Sequence, residues 1–284
     1  MQLIERKIQR DANILFLGDF HGGTLLHSEE SLDQAIDMAH SDFEGCRNNH
    51  VMLMGDLLEA MDTSDPRFDV TTVDRNKIRP GEQADYIVSK VSRFGDKLIA
   101  SLMGNHEFRL LRYCDYGKAM ADRLGCVYGT FSSVITFVDG KRRRLFKAYV
   151  THGSGSITST ADDPERREAN MNLALKRKLK RKFGDTVIMA MGHTHKILVC
   201  KPKETLYLTS DGKSVSQNYT DYDQDGDYIH PDHRWYLNTG SMMKLFELGI
   251  SGYAERAQYD PIELGFTIAM VRGGKVVDCR KVLL

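Results

Sequence analysis

The sequence has 284 residues, of which 41% are hydrophobic, and its 39 basic and 39 acidic side chains give a net charge of zero. This length is enough for one large α/β domain or two small ones with a sizeable core. The balanced charge argues against binding nucleic acid or a membrane through the field of the whole protein, although it leaves room for a local patch.

The first half of the chain alternates short apolar runs with helical patterns. Buried strands are predicted at NILFLGD (13–19), HVMLMGD (50–56) and KLIASLMGN (97–105). Helices are predicted over 28–40, over 82–94 and from about 108 to 124. This alternation predicts helices packed on a sheet, as in an α/β fold.

The second half is richer in strand patterns. Residues 131–153 predict a hairpin that turns at Asp139-Gly140. Asp163-Pro164 predicts an N-cap followed by the first turn of a helix that runs to about Phe183. Further strands are predicted at TVIMAM (186–191), ILVC (197–200), RWYLNTGS (234–241), ELGFTIAMV (263–271) and KVVDCRKVL (275–283).

Residues 211–234 break this pattern, because they are polar and acidic without a clear period. We interpret them as a polar insertion or long loop within a single domain of residues 1–284. Loops of this length in compact domains are more often functional or mobile than idle. We therefore expect this segment to shape substrate access rather than stability.

The same segment contains acidic residues over 221–232 at the spacing of a calcium loop. No helical pattern flanks them and Pro231 interrupts them, so a solvated acidic loop is the better interpretation. His230 and His233 could instead approach a substrate. The basic runs KRRR (141–144) and KRKLKRK (176–182) are typical of solvated faces, with nucleic-acid contact as the alternative.

Cysteine usage and the N-terminus bear on the compartment. The five cysteines form no CxxC pair, and MQLIERKIQRD lacks the apolar core of a secretory signal. Both features indicate a reduced, cytoplasmic protein. No run approaches the roughly 18 apolar residues of a transmembrane helix, so we expect no membrane partner.

Five predicted strands end in polar residues that a core would not accommodate. The stretches are GDFHGG (18–23), GDLLE (55–59), GNHE (104–107), THG (151–153) and GHTH (192–195). Strand ends of an open α/β sheet converge on a crevice, so these side chains could share one pocket. Its candidate members are Asp19, His21, Asp56, Asn105, His106, His152, His193 and His195.

The side-chain types of this set indicate a metal site. Carboxylates, an amide oxygen and imidazoles suit borderline divalent metals such as Mn, Fe, Zn, Ni or Co. The set is too large for one ion, whereas two ions bridged by one carboxylate would use it. Any one of these stretches alone is more simply a turn, because Gly-Asp is a common turn dipeptide. Five in order, each after an apolar run, are much harder to explain in that way.

As an ordered set, GDFHGG, GDLLE, GNHE, THG and GHTH resemble the signature of the calcineurin-like metallophosphoesterase superfamily. The resemblance spans residues 18–195, and NTGS (238–241) is similar to a recurrent strand-end element of the same family. It implies a four-layer αββα sandwich with mixed sheets and a metal site at the strand ends.

The resemblance also implies a role for each residue. One metal would be held by Asp19, His21 and His195, the other by Asn105, His152 and His193, and Asp56 would bridge both. A hydroxide between the two ions would then attack a phosphate ester. His106 would act as general acid for the leaving oxygen, and Glu59 would orient it.

Two departures from the family pattern bear on the substrate. Glu59 replaces the last Asp of GDxxD, which keeps a carboxylate on a longer arm. Protein Ser/Thr phosphatases continue as Asp-Arg-Gly, where this chain has Glu59-Ala60-Met61. A phosphodiesterase is therefore favoured, although Arg109 or Arg112 could replace the missing arginine. The alternatives are a metal-dependent nuclease and a phosphomonoesterase, while a non-catalytic scaffold is disfavoured because every ligand type is present.

Overall fold

The computed structural model describes residues 1–61, 63–65 and 68–284. Strands β1 to β7 are Gln2–Lys7, Ala12–Leu17, Asn49–Leu53, Leu98–Ser101, Val127–Tyr128, Ser132–Val138 and Arg144–Thr151. Strands β8 to β14 are Ile188–Met191, Ile197–Cys200, Leu206–Ser210, Val215–Tyr219, Trp235–Thr239, Gly265–Arg272 and Lys275–Leu283. Helices α1 to α6 are Glu29–His40, Pro80–Val91, Asn105–Arg109, Tyr116–Leu124, Pro164–Leu179 and Tyr253–Arg256. In this described part of the chain, no helix is both long and apolar enough to cross a membrane.

Two six-stranded mixed sheets pack face to face. Their strand orders are β1-β6-β7-β8-β12-β9 and β14-β13-β2-β3-β4-β5. Between them lies one apolar cluster, in which Phe16 and Met52 of one sheet join Phe137 and Leu237 of the other. These four side chains are fully buried, so the space between the sheets is the main core.

Helices cover both outer faces. Leu32 of α1 and Ile87 of α2 are buried against the sheet that contains β2 and β3, while Leu175 and Leu179 of α5 are buried against the other sheet. Helix α5 begins as predicted, because the Asp163 carboxylate accepts a hydrogen bond of 2.7 Å from the Arg166 backbone N–H. The expected four-layer αββα sandwich is confirmed.

One predicted element differs from the structure, and one strand was not predicted. The single helix expected over 108–124 is broken into α3, a 3-10 turn at Leu110–Arg112, and α4. The break occurs because Asp115 caps α4, its carboxylate accepting a 2.8 Å bond from the Lys118 backbone N–H. Strand β1 carries no clear sequence pattern, since only Ile4 among its residues is buried.

Strands β2, β3 and β4 run parallel to one another, as do β7, β8 and β12. The two sets end together, because the His152 ring that follows β7 bonds the Met54 carbonyl that follows β3. We call this end of the sandwich its C-terminal edge and the other end its N-terminal edge. All five polar stretches therefore meet at the C-terminal edge.

Residues 201–234 lie at the N-terminal edge. Strand β9 runs antiparallel to β12, so that Ile197 pairs with Thr239 and Cys200 pairs with Tyr236. The chain thus leaves the sheet and returns to it at the end opposite the five polar stretches. This placement contradicts the expected role of 211–234 in substrate access. It also puts His230 and His233 at the end of the sandwich opposite the five polar stretches, where they cannot approach a substrate bound there.

The segment is not one long loop. Strands β10 and β11 form a projecting hairpin of almost wholly exposed residues. The chain that follows is anchored, because Ile229 is buried in the main core and the buried Arg234 guanidinium donates to the Gly184 and Ile229 carbonyls. Of the acids at calcium-loop spacing, which we interpreted as a solvated acidic loop, Asp225 pairs with Arg144 and Asp232 pairs with Lys176.

We predict that Ile229→Ala lowers the free energy of unfolding by about 2–5 kcal/mol, because it leaves a cavity between the sheets. Leu208→Ala in the projecting hairpin is the control, since this leucine is 64% exposed. It should change stability by no more than about 0.5 kcal/mol. Urea denaturation measures both values, and similar small losses would show that 220–234 is not part of the core.

Candidate metal centre

The strand ends at the C-terminal edge turn sharply through left-handed backbone. Five candidate ligands have positive φ there: Asp19 (53°), His21 (52°), Asp56 (49°), His193 (72°) and His195 (57°). This conformation costs a non-glycine residue about 1–3 kcal/mol and persists only where the surroundings enforce it. Here the Asp19 N–H donates to the Gly55 carbonyl at 2.9 Å, and the His21 N–H donates to the Asp56 carbonyl at 3.1 Å. The strained turns aim these side chains over the ends of the sheets.

Asp19, His21 and His195 form a first group, whose ligand atoms lie within 4.8 Å of one another. The Nε2 atoms of His21 and His195 face each other at 3.1 Å, and Asp19 Oδ1 is 3.5 Å from His195 Nε2. Two imidazole nitrogens and a carboxylate oxygen thus converge on one point.

Asp56, His152 and His193 form a second group with the same spread of ligand atoms. His152 Nε2 lies 3.3 Å from Asp56 Oδ2 and 3.0 Å from Asn105 Oδ1. The structure therefore brings all seven candidate ligands to the C-terminal edge, with Asp56 and Asn105 in the second group, while a third group joins His21 to Glu59 and His106.

Hydrogen bonds from Nδ1 determine that His21 and His152 turn Nε2 toward the candidate metal groups. His152 Nδ1–H donates to the Met54 carbonyl at 2.9 Å, and His21 Nδ1–H donates to Glu59 Oε2 at 2.9 Å. In both rings Nε2 is left to face the group, as in metal sites where the second ring nitrogen bonds a carboxylate or a carbonyl.

The buried carboxylates of the site favour positive charge beside them. Burial raises the pKa of Asp19 to about 7, because nearby His152 and His21 offset only part of the desolvation and Asp56 repels it. Burial alone would lower the pKa of His21, but the bond to Glu59 and the charges of Asp56 and Asp19 raise it to about 9. The pKa of His152 rises to about 10 against its burial, chiefly through Asp56. Divalent cations would supply this charge in place of protons.

Two buried ligand atoms also lack a hydrogen-bond partner within the described residues. They are Asp19 Oδ1 in the first group and His193 Nδ1 in the second. Buried polar atoms are almost always paired, so each orphan needs an explanation. Coordination to a metal would satisfy both atoms. The donor set, its orientation and its charge therefore fit divalent metals such as Mn, Fe, Zn, Ni or Co.

Glu107 is a site residue that the sequence reasoning missed. Its buried carboxylate accepts hydrogen bonds from the backbone N–H groups of Asp56, Leu58 and Gly104, at 3.1, 2.9 and 2.9 Å. It thereby ties the GDLLE turn to the GNHE turn. Gly104 permits the contact, since a Cβ at this position would come within 2.0 Å of Asp56 Oδ1. Glu107 is the third residue of α3, where a glutamate can accept the N–H of the N-cap residue, and this position is the sequence signal that could have identified it.

The NTGS stretch supports the site from the far side. Ser241 Oγ donates to the Asp19 carbonyl at 2.9 Å, and the Met242 N–H donates to the same oxygen at 3.2 Å. Asn238 Nδ2 donates to Thr194 Oγ1 within the GHTH turn. These bonds position the two turns that carry the first group.

The contacts of His106 differ from the expected ones. Its Nδ1–H donates to the backbone carbonyl of Glu59, whereas the Glu59 carboxylate bonds His21. The Glu59 carboxylate therefore hydrogen-bonds His21 and not His106, although a Glu59 carboxylate oxygen and a His106 ring nitrogen lie within 4.8 Å of each other in a third group with His21. The His106 ring packs edge-on against His21 with 4.6 Å between ring centroids, so it borders the site.

The two candidate substrate arginines face a neighbouring loop. Arg109 forms an ion pair with Asp65 at 3.4 Å, and Arg112 donates to Ser64 Oγ at 2.6 Å. Within the described chain, neither guanidinium bonds a ligand side chain or His106. These contacts hold α3 and the following turn to the segment after Glu59.

The fold and the two ligand groups define a metallophosphoesterase site. The chain belongs to the calcineurin-like phosphoesterase family, whose sequence profile matches residues 12–223. This match confirms the resemblance and includes all seven candidate ligands and His106. A search of curated proteins finds no match to this chain. The family and the clustered histidines and aspartates support metal-dependent hydrolysis of phosphate esters.

We predict that Glu59→Gln weakens metal binding by about 10–100-fold, because the carboxylate that orients His21 is lost. Elemental analysis after equilibration at limiting Mn²⁺ measures the effect. Glu204→Gln, an exposed exchange at the N-terminal edge, is the charge-matched control and should bind Mn²⁺ as the original chain does. Unchanged binding in Glu59→Gln would show that the contact with His21 does not support a ligand.

Proposed function

We propose that the protein is a dinuclear metal-dependent phosphoesterase that hydrolyses phosphodiesters. The observation that carries this proposal is the pair of adjoining ligand groups at the C-terminal edge, each with two imidazoles and a carboxylate. Asp19, His21 and His195 would hold one ion, and Asn105, His152 and His193 the other. Bound divalent ions supply an acidified water and charge neutralisation for phosphate oxygens.

Asp56 is the proposed bridging carboxylate. One of its oxygens accepts the His106 backbone N–H at 2.9 Å, and the other faces His152 at 3.3 Å. Its charge raises the pKa of both His21 and His152, although these rings belong to different groups. The carboxylate therefore acts on both halves of the site and supports a shared ligand role.

His106 is the proposed proton donor. Its Nδ1–H is committed to the Glu59 carbonyl, which fixes the ring and leaves Nε2 as the atom that can exchange a proton. His106 is 8% exposed and its ring packs against His21 of the first group, so we assign Nε2 the contact with the leaving oxygen. General acid catalysis at this atom would protonate that oxygen as its bond to phosphorus breaks.

The charge around the site supports a diester substrate. A phosphomonoester brings a second negative charge near neutral pH, and phosphoryl sites commonly meet such charge with an arginine or lysine. The candidate cations Arg109 and Arg112 are instead held by Asp65 and Ser64. A diester carries one charge and needs no such clamp.

We expect the Mn²⁺-loaded protein to have a higher kcat/KM for bis-p-nitrophenyl phosphate than for p-nitrophenyl phosphate. Release of p-nitrophenolate measures both reactions at one pH. Asp56→Asn should lose activity toward both esters and bind fewer than two Mn²⁺ per chain. A clear preference for the monoester would show that the protein is a phosphomonoesterase. If a chain with two bound Mn²⁺ hydrolysed neither ester, the protein would instead be a non-catalytic scaffold.

We predict that His106→Asn lowers kcat by about 10²–10⁴-fold on a dinucleotide, whose alkoxide leaving group needs a proton. The loss on bis-p-nitrophenyl phosphate should be far smaller, because p-nitrophenolate departs without one. The variant should bind Mn²⁺ as before. Equal losses on both substrates would refute the acid role, and a lost ion would make His106 a ligand.

A further inference from the structure

A second polar concavity lies at the N-terminal edge, away from the candidate metal centre. It has a volume of about 440 Å³, and we call it the basic cleft. Its lining includes five cations: Arg6, Lys7, Arg10, Arg47 and Lys97. They come from the end of β1, from the chain after it, and from the segments that precede β3 and β4. The five residues of β3 lie between the cleft and the candidate metal ligands, and this strand is roughly 16 Å long.

The positive charge of the basic cleft is almost uncompensated. Within the described residues, Arg6, Lys7, Arg10 and Lys97 form no ion pair, and Arg47 has only a 3.9 Å contact with Asp42. Asp96 is the single acid among the lining residues. The turn between β6 and β7 adjoins the cleft through Gly140, but its Arg142 and Arg143 are paired with Glu5 and Asp139 and add no free charge. This concentration is unusual in a chain whose net charge is zero.

Arg6 is the most constrained of these cations. One of its guanidinium nitrogens donates to the Asp96 carbonyl at 2.7 Å and lies 3.3 Å from His50 Nδ1. Its Nε is buried and has no hydrogen-bond partner within the described chain. Burial, and then the charges of Arg6 and Lys97, lower the pKa of His50 to about 4, so this imidazole stays neutral beside the cations. A bound anion would offset the repulsion among the cations of the cleft and would accept a hydrogen bond from Arg6 Nε.

The shape of the basic cleft favours a small ligand. Its volume falls in the range of pockets that bind small molecules and cofactors, roughly 300–1,000 Å³. The cations converge on one concavity from separate segments and do not form the extended stripe that tracks a nucleic-acid backbone. Convergent arginines and lysines with few acids are the chemistry that recognises phosphate groups.

We propose that the basic cleft binds a small polyphosphate-bearing ligand, such as a nucleoside diphosphate, at a site separate from the metal centre. The lysines provide charge at the rim and Arg6 donates from the floor. The site follows from the cleft alone and does not depend on the proposed hydrolytic function.

The test titrates the full Mn²⁺-loaded chain with adenosine 5′-(α,β-methylene)diphosphate, whose P–C–P link resists hydrolysis, in a calorimeter. Lys7→Gln/Lys97→Gln removes two cleft cations that make no hydrogen bond in the described structure, so the fold should persist. Arg181→Gln/Lys182→Gln on the basic run after α5 removes the same charge elsewhere. Asp56→Asn reports on the metal centre.

We expect the Kd of the nucleotide to rise at least about ten-fold in the cleft variant, since two charge-assisted contacts are lost. The Arg181/Lys182 variant and Asp56→Asn should bind it as the original chain does, and hydrolysis of bis-p-nitrophenyl phosphate should be unchanged in the cleft variant. An unchanged Kd in the cleft variant, or a loss confined to Asp56→Asn, would overturn the proposal. A second result would also overturn it. If a single-stranded oligonucleotide bound tightly, lost affinity in the cleft variant and was not displaced by the nucleotide, the cleft would be a nucleic-acid surface.

Discussion

The burial of two carboxylates at one edge of the sandwich is the constraint on which the rest of the structure depends. Asp19 is fully buried and Asp56 is 2% exposed. Ionised groups in such positions are costly unless positive charge and hydrogen bonds surround them. The imidazoles supply part of that charge, and the backbone supplies the bonds through turns held in left-handed conformations. Glu107, a third buried carboxylate, stabilises these turns by accepting three N–H groups.

The sequence predicted best those elements whose side chains lie in the core. All six residues of β2 and all four of β8 are buried, so an apolar run marks each strand. The projecting hairpin could not be found in this way, because its apolar side chains face solvent and give no burial signal. Strand β1 contributes only Ile4 to the core. The anchoring of Ile229 depends on packing against sheets that lie far away in sequence, so a polar stretch concealed a core residue.

For the site, residue types were predictable and contacts were not. Five polar motifs after apolar runs identified the candidate ligands, because strand ends of parallel sets meet at one edge. The partner of Glu59 depends on the turn after Asp56, where the chain passes through left-handed backbone at Asp56 and again at Ala60. Such a turn redirects a side chain in a way that spacing does not reveal. The sequence therefore placed Glu59 beside His106, but it did not reveal that the Glu59 carboxylate bonds His21 while the Glu59 carbonyl bonds His106.

The sheet topology has a consequence for the synthesis of the protein. All seven candidate ligands precede residue 196, yet Asp19 is held by Ser241, and β2, which Asp19 follows, pairs with β13 across about 250 residues. A nascent chain that has just exposed His195 holds every ligand but lacks the strands that fix them. Contacts this distant in sequence form slowly, and until then the β2 edge is open to pairing with other chains. The candidate metal centre is therefore complete only after the C-terminal strands have left the ribosome, and a chain stalled before them would expose the β2 edge to aggregation.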